Sequence, residues 1–85
     1  MDYKPIYITY EEMHADLIRQ LLEQQGIACR VRSMRVAGYE GIRVGPLGEI
    51  RIFVLEPYTQ KALRIIEEAI KDGALWPLGG PIEKE

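Results

Sequence analysis

Ile50-Arg51-Ile52-Phe53-Val54-Leu55, followed at once by Glu56-Pro57, is the stretch that decides the fold. Its residues alternate: Ile50, Ile52 and Val54 share one face, and Arg51, Phe53 and Leu55 share the other. Pro57 suits the first position of a helix. Ala62, Leu63, Ile66, Ala69 and Ile70 supply that helix with a buried stripe, and Lys71-Asp72-Gly73 ends it. Upstream, residues 34–48 hold Gly38, Gly41, Gly45, Pro46 and Gly48 and read as a long loop. Before the loop, Ile27 to Ser33 alternates again, with Ile27, Cys29 and Val31 inward and Ala28, Arg30 and Arg32 outward. Met13, Leu17, Ile18, Leu21 and Leu22 form a helical stripe. It starts with the capping-box spacing Thr9–Glu12 and stops at Gly26. Ile6 to Tyr10 is a β-branched and aromatic strand.

The order is strand, helix, strand, strand, helix. The strand at residues 50–55 fills the gap left by the first crossover and pairs antiparallel with both other strands. This predicts an α+β, ferredoxin-like split β-α-β with sheet order 1-3-2 and two helices on one face. A fourth strand is either absent or made by Leu75 to Leu78. Residues 1–72 form the expected single domain. Residues 73–85 read as a Gly/Pro-rich, partly mobile tail in which Leu75-Trp76-Pro77-Leu78 is apolar enough to dock.

The chain has 85 residues, 47% hydrophobic and 28% charged, which fits one small globular domain. No apolar run approaches the roughly 20 residues of a membrane span. Met1-Asp2-Tyr3-Lys4-Pro5 leads back to polar residues by Thr9 to Glu12, too soon for a signal-peptide core. A single cysteine excludes an internal disulfide and fits a reducing, cytoplasmic setting. The formal net charge of −2 disfavours generic binding to nucleic acid or anionic membrane.

The strand Ile6-Tyr7-Ile8-Thr9, the acidic start Glu11-Glu12, Ala15-Asp16-Leu17-Ile18, Leu21-Leu22-Glu23 and the turn Gln25-Gly26-Ile27-Ala28-Cys29 together carry a resemblance. So do Ile50 to Val54, Leu55-Glu56-Pro57, Ala62-Leu63 and Ile65-Ile66-Glu67-Glu68. Over about residues 5–70 the chain resembles the bacterial family called putative prokaryotic signal-transducing proteins. The resemblance implies a PII-like, ferredoxin-like fold and carries over no catalytic residue. In PII-like proteins the loop between the second and third strands contacts partners and ligands, which points here to the 34–48 loop. Arg35, Arg43 and the chain after Gly73 match no motif of the family.

Five of the seven arginines, Arg30, Arg32, Arg35, Arg43 and Arg51, lie between residues 30 and 51. Opposed only by Glu40 and Glu49, they make that stretch net +3 (five minus two). Alternation places Arg30, Arg32 and Arg51 on the face away from the helices. Planar, bidentate donors suit phosphate or carboxylate, and with Tyr39 in the loop they form a candidate surface for a protein partner or a small anion. The bland reading is a solvated, charged sheet face.

Tyr7, Thr9, Phe53 and Leu55 are expected to point outward as well. With Trp76 they form a candidate homo-oligomer interface, covered by a second copy or by the tail. Stacking of single-stranded RNA on Tyr7 and Phe53 is a further alternative, and the weakest one, given the charge.

Neither His14 nor Cys29 belongs to a catalytic or metal-ligating constellation. His14 has Tyr10 and Ile18 as its four-residue neighbours, and Cys29 points inward. Gly38-Tyr39-Glu40-Gly41 and Gly45-Pro46-Leu47-Gly48 lack the lysine and hydroxyl of a phosphate-binding loop. The reading is a small cytoplasmic regulatory module, not an enzyme, without cofactor or metal. It acts through protein contacts, with anion sensing as the alternative.

Overall fold

The computed structural model describes residues 2–33 and 48–82. Strand β1 spans Tyr3–Thr9, helix α1 Glu12–Gln24, β2 Cys29–Ser33 and β3 Ile50–Leu55. A short 3-10 turn over Glu56–Tyr58, carrying Pro57, leads into α2 at Thr59–Lys71, and β4 is Gly80–Pro81. The sheet order is β2-β3-β1-β4, with β3 antiparallel to both β1 and β2. The expected 1-3-2 core is therefore present. The fourth strand exists, but Gly80–Pro81 makes it, beside Tyr7 and Ile8, rather than Leu75 to Leu78.

Ile50, Ile52 and Val54 are buried against Ala15, Ile18 and Leu22 of α1 and Ala62, Ile66 and Ala69 of α2. Both helices thus cover one face, and among the described residues nothing covers the other.

One expectation about that open face is corrected. Tyr7 and Thr9 point into the core, at 4% and 0% exposure. The cause is a β-bulge. Pro5 pairs with Phe53 and Tyr7 with Ile52, so Ile6 is an extra residue facing no partner of its own. An inserted residue reverses the alternation beyond it, because side chains change face at every step. Thr9 therefore stands opposite Ile50 and Ile8 opposite Arg51. Tyr3, Pro5 and Ile8 take the open face instead. Pro5 is the visible signal, since proline inside a strand is confined to edges and bulges.

Helix α1 is rotated slightly from its predicted stripe. Met13 is 68% exposed, while His14, Ala15, Ile18 and Leu22 are buried. The Thr9–Glu12 capping box does not form. Glu11 is the N-cap, and the Thr9 hydroxyl meets His14 instead. Both helices end in a Schellman motif. After α1, Gly26 at φ 80° lets the Ile27 amide reach the Leu22 carbonyl at 2.9 Å. After α2, Gly73 at φ 81° lets the Ala74 amide reach the Ala69 carbonyl at 2.9 Å.

Residues 72–82, beyond α2, pack back onto the domain. Leu75 is buried in the core, and the Ile82 amide bonds the Ile6 carbonyl at 2.9 Å. The edge of β1, which the sequence leaves in need of cover, is shielded there.

Candidate functional site

The open face of the sheet is built in cross-strand rows. Arg30 of β2 stands opposite Phe53 of β3, which stands opposite Pro5 of β1. In the next row Arg32 stands opposite Arg51, and Arg51 opposite Ile8. Leu55 faces Tyr3 at the far end of β3. Tyr3, Pro5, Ile8, Phe53 and Leu55 are each half-buried, because no helix of the described residues lies over them. Arg30 and Arg32 are exposed.

Each arginine has a different environment. The Arg30 guanidinium carbon lies 4.3 Å from the centre of the Tyr3 ring. Strands are about 4.8 Å apart, so this side chain crosses β3 to form a cation–π contact. The Arg51 Nε–H donates to Glu49 Oε2 at 2.7 Å, and Glu49 is only 7% exposed. Among the described residues Arg32 has neither an ion pair nor a hydrogen bond. A shallow hollow between these groups is lined by Tyr3, Arg30, Val31, Arg32 and Phe53. Chemically the surface offers an apolar strip with a planar cationic rim along β2, which suits a carboxylate- or phosphate-bearing partner.

The structure thus brings together Arg30, Arg32, Arg51, Phe53 and Leu55. Arg35, Tyr39 and Arg43 lie outside the described residues. Tyr7 and Thr9 lie on the opposite face, so one of the two expected stacking platforms for RNA is inside the core. Trp76 is 38% exposed and sits beside α1 rather than on the sheet face, its ring 5.1 Å from that of His14.

His14, which belongs to no catalytic or metal-ligating group by its spacing, has a structural role. It is completely buried, its Nδ1 2.9 Å from the Thr9 hydroxyl and its Nε2 2.8 Å from the Trp76 carbonyl. A carbonyl only accepts, so Nε2–H donates to it, and with the ring neutral Nδ1 accepts from the hydroxyl of Thr9. The Tyr7 hydroxyl donates to the Leu78 carbonyl at 3.1 Å, and burial raises the pKa of that phenol. These groups hold the tail in place. Cys29 is half-buried against the core, and burial pushes its thiol up to about 11, the reverse of an activated nucleophile. Among the described residues no three His, Cys, Asp or Glu side chains are grouped to hold a metal ion, and no helix is long and apolar enough to cross a membrane.

An antiparallel sheet with two helices on one face and an arginine-framed open face defines a ferredoxin-like α+β domain. The chain belongs to the family described as putative prokaryotic signal transducing protein, whose profile matches residues 3–70. The matched span takes in the sheet through β3 and nearly all of α2, and it ends before β4. No curated protein and no solved structure matches the chain.

Proposed function

We propose that this chain is a non-catalytic, cytoplasmic binding module that works in signal transduction through protein contacts on its open sheet face. One observation carries the reading. Tyr3, Pro5, Ile8, Phe53 and Leu55 stand side by side, half-exposed, with Arg30, Arg32 and Arg51 beside them. A contiguous apolar strip of this kind marks an interaction surface. Aromatic side chains and arginine are also the types enriched where proteins meet. The arginines stand along β2 and at one end of β3. Two copies can therefore meet on the apolar half and leave the cations at the rim, so a second copy is the first partner to test. Sedimentation velocity over a range of concentrations is the measurement. Association that is lost in Phe53→Asp supports the reading, and a wild-type chain that stays monomeric throughout overturns the self-association.

Arg32 and Arg51 favour a second reading, a sensor of a small anion. Like charges placed directly opposite on a sheet repel. Of the two, only Arg51 has a carboxylate partner among the described residues. A bound phosphate or carboxylate would relieve that repulsion, with residues 34–48 as the segment that follows β2. Millimolar phosphate, nucleotide or dicarboxylate should then raise the melting temperature, and the rise should vanish in Arg32→Ala. No shift with any of them rejects the sensor.

A further inference from the structure

Among the described residues β2 has a sheet neighbour on one side only, while β4 shields part of the opposite edge of the sheet. Arg30, Val31, Arg32 and Ser33 are all exposed, and Val31 is 41% exposed although its register places it on the helix side, opposite Ile52. Below that edge, between α1 and β2, runs a groove lined by Ala15, Val31, Ser33 and Ile50, with Glu12, Asp16 and Arg19 on its α1 wall. Asp16 and Arg19 are already engaged with each other at 2.6 Å. A strand edge of this kind offers alternate backbone N–H and C=O groups to another extended chain.

Charge determines which chain fits. A second copy of β2 is a poor occupant. In an antiparallel pairing that keeps both open faces on the same side, residues of like parity stand opposite each other. Arg30 then meets Arg32, or one of them meets itself, in every register close to the strand centre. Repulsion of this sort blocks edge-to-edge association. A strand with carboxylates on the open-face side has the opposite balance, since Arg30 and Arg32 are neighbours at the two-residue spacing of one face, and Arg30 reaches the edge once its guanidinium leaves the Tyr3 ring. Its intervening side chains would lie over the groove, where Val31, Ala15 and Ile50 favour apolar groups and Asp16 disfavours further carboxylates.

We propose that an extended segment of a partner protein, with acidic and apolar residues in alternation, adds to the free edge of β2 and sets its carboxylates against Arg30 and Arg32. The inference rests on the reading of the chain as a protein-contact module and names the chemistry of the partner.

The probe is a fluorescein-labelled octapeptide of alternating valine and glutamate, with the valine–lysine octapeptide as control. Binding is followed by anisotropy and by amide shifts of the ¹⁵N-labelled protein. The glutamate peptide should bind at least about tenfold more tightly than the lysine peptide at low salt, weaken as salt is raised, and move the amides of Cys29–Ser33. The double variant Arg30→Glu/Arg32→Glu should reverse the preference. Arg30→Gln/Arg32→Gln should abolish it without reversal. Equal binding of both peptides, no binding, or shifts confined to Tyr3, Phe53 and Leu55 would overturn the strand addition. Phe53→Ser keeps the two readings apart, because it removes the apolar contact without setting a carboxylate opposite Arg30. It should leave peptide binding intact while removing self-association, and a failed peptide titration leaves the sedimentation result standing.

Discussion

His14 Nε2–H donates to the backbone carbonyl of Trp76 at 2.8 Å, joining the third residue of α1 to a segment 62 residues later. The other ring nitrogen is held by Thr9 at 2.9 Å, so no polar atom of this fully buried imidazole is left without a partner. The contact explains how a Gly/Pro-rich segment with little regular structure stays on the domain. One side chain satisfies a backbone carbonyl that would otherwise be desolvated without a bond.

Replacing His14 by alanine should therefore cost more than one lost hydrogen bond. The Thr9 hydroxyl and the Trp76 carbonyl lose their partner, and a cavity opens beside Trp76. Together these predict a destabilisation of about 2–4 kcal/mol. Urea unfolding measures it. Faster hydrogen exchange at Leu75 and Ile82 than at β3 would show that the tail is released first. Equal exchange at both places would contradict the anchoring role.

Gly79 and Gly26 both have positive φ, but alanine should affect them differently. A Cβ at Gly79 would run into the backbone carbonyl of Ile8, whereas nothing lies within 4 Å of one at Gly26. Gly26→Ala should cost only the left-handed backbone term, about 1–2 kcal/mol. Gly79→Ala adds a clash with rigid main chain. It should displace β4, seen as loss of protection at the Ile82 amide, whose bond to Ile6 depends on that pairing. Thermal denaturation of the two variants side by side provides the comparison.

Arg51 and Arg32 face each other across β2 and β3, yet their removal should have unequal effects. Arg51→Ala leaves the nearly buried Glu49 carboxylate without its donor and should destabilise by about 1–3 kcal/mol. Arg32→Ala removes an exposed cation with no partner among the described residues and relieves the repulsion on Arg51, so stability should stay within about 0.5 kcal/mol of wild type or rise. Glu49→Gln in the Arg51→Ala background should recover part of the loss. Chemical denaturation of the four proteins tests the set.

Stability should fall at alkaline pH, beginning with Cys29. Burial, and then the charge of Glu23, pushes its thiol from the ordinary 9.0 to about 11. The folded chain thus keeps a proton that the unfolded chain has lost. The contribution of this group is complete below pH 9 and is lost as the pH climbs toward 11. The raised phenol of Tyr7 acts in the same direction at higher pH still. Unfolding free energy measured across this range should decline, and Cys29→Ala should flatten the early part of the decline. Iodoacetamide labelling of the native protein should keep accelerating past pH 9 rather than levelling there.

The alternation of Ile50 to Leu55, the stripe of the second helix and the two glycine stops were sufficient to place β3, α2 and the ends of both helices. Each is a local pattern whose period matches one kind of backbone. Arg30, Arg32, Arg51, Phe53 and Leu55 were legible as one surface for the same reason, since β2 and β3 pair without irregularity. β1 was misread because a single bulged residue, Ile6, reverses every side chain after it. That bulge is set by pairing with β3 and only hinted at by Pro5. His14 was passed over because its partners, Thr9 and Trp76, lie on other elements, and no spacing along one helix reveals them.

The linear order of elements, their apolar faces and the concentration of arginine between residues 30 and 51 are thus properties of the sequence by itself. They follow from periodicity and charge, which act over a few neighbouring residues. Tertiary structure alone decided which way Tyr7 and Thr9 point, that Gly80–Pro81 rather than Leu75 to Leu78 completes the sheet, and that His14 clasps the tail. Those outcomes depend on register and on long-range satisfaction of buried polar groups, whose energies are settled only when distant segments meet.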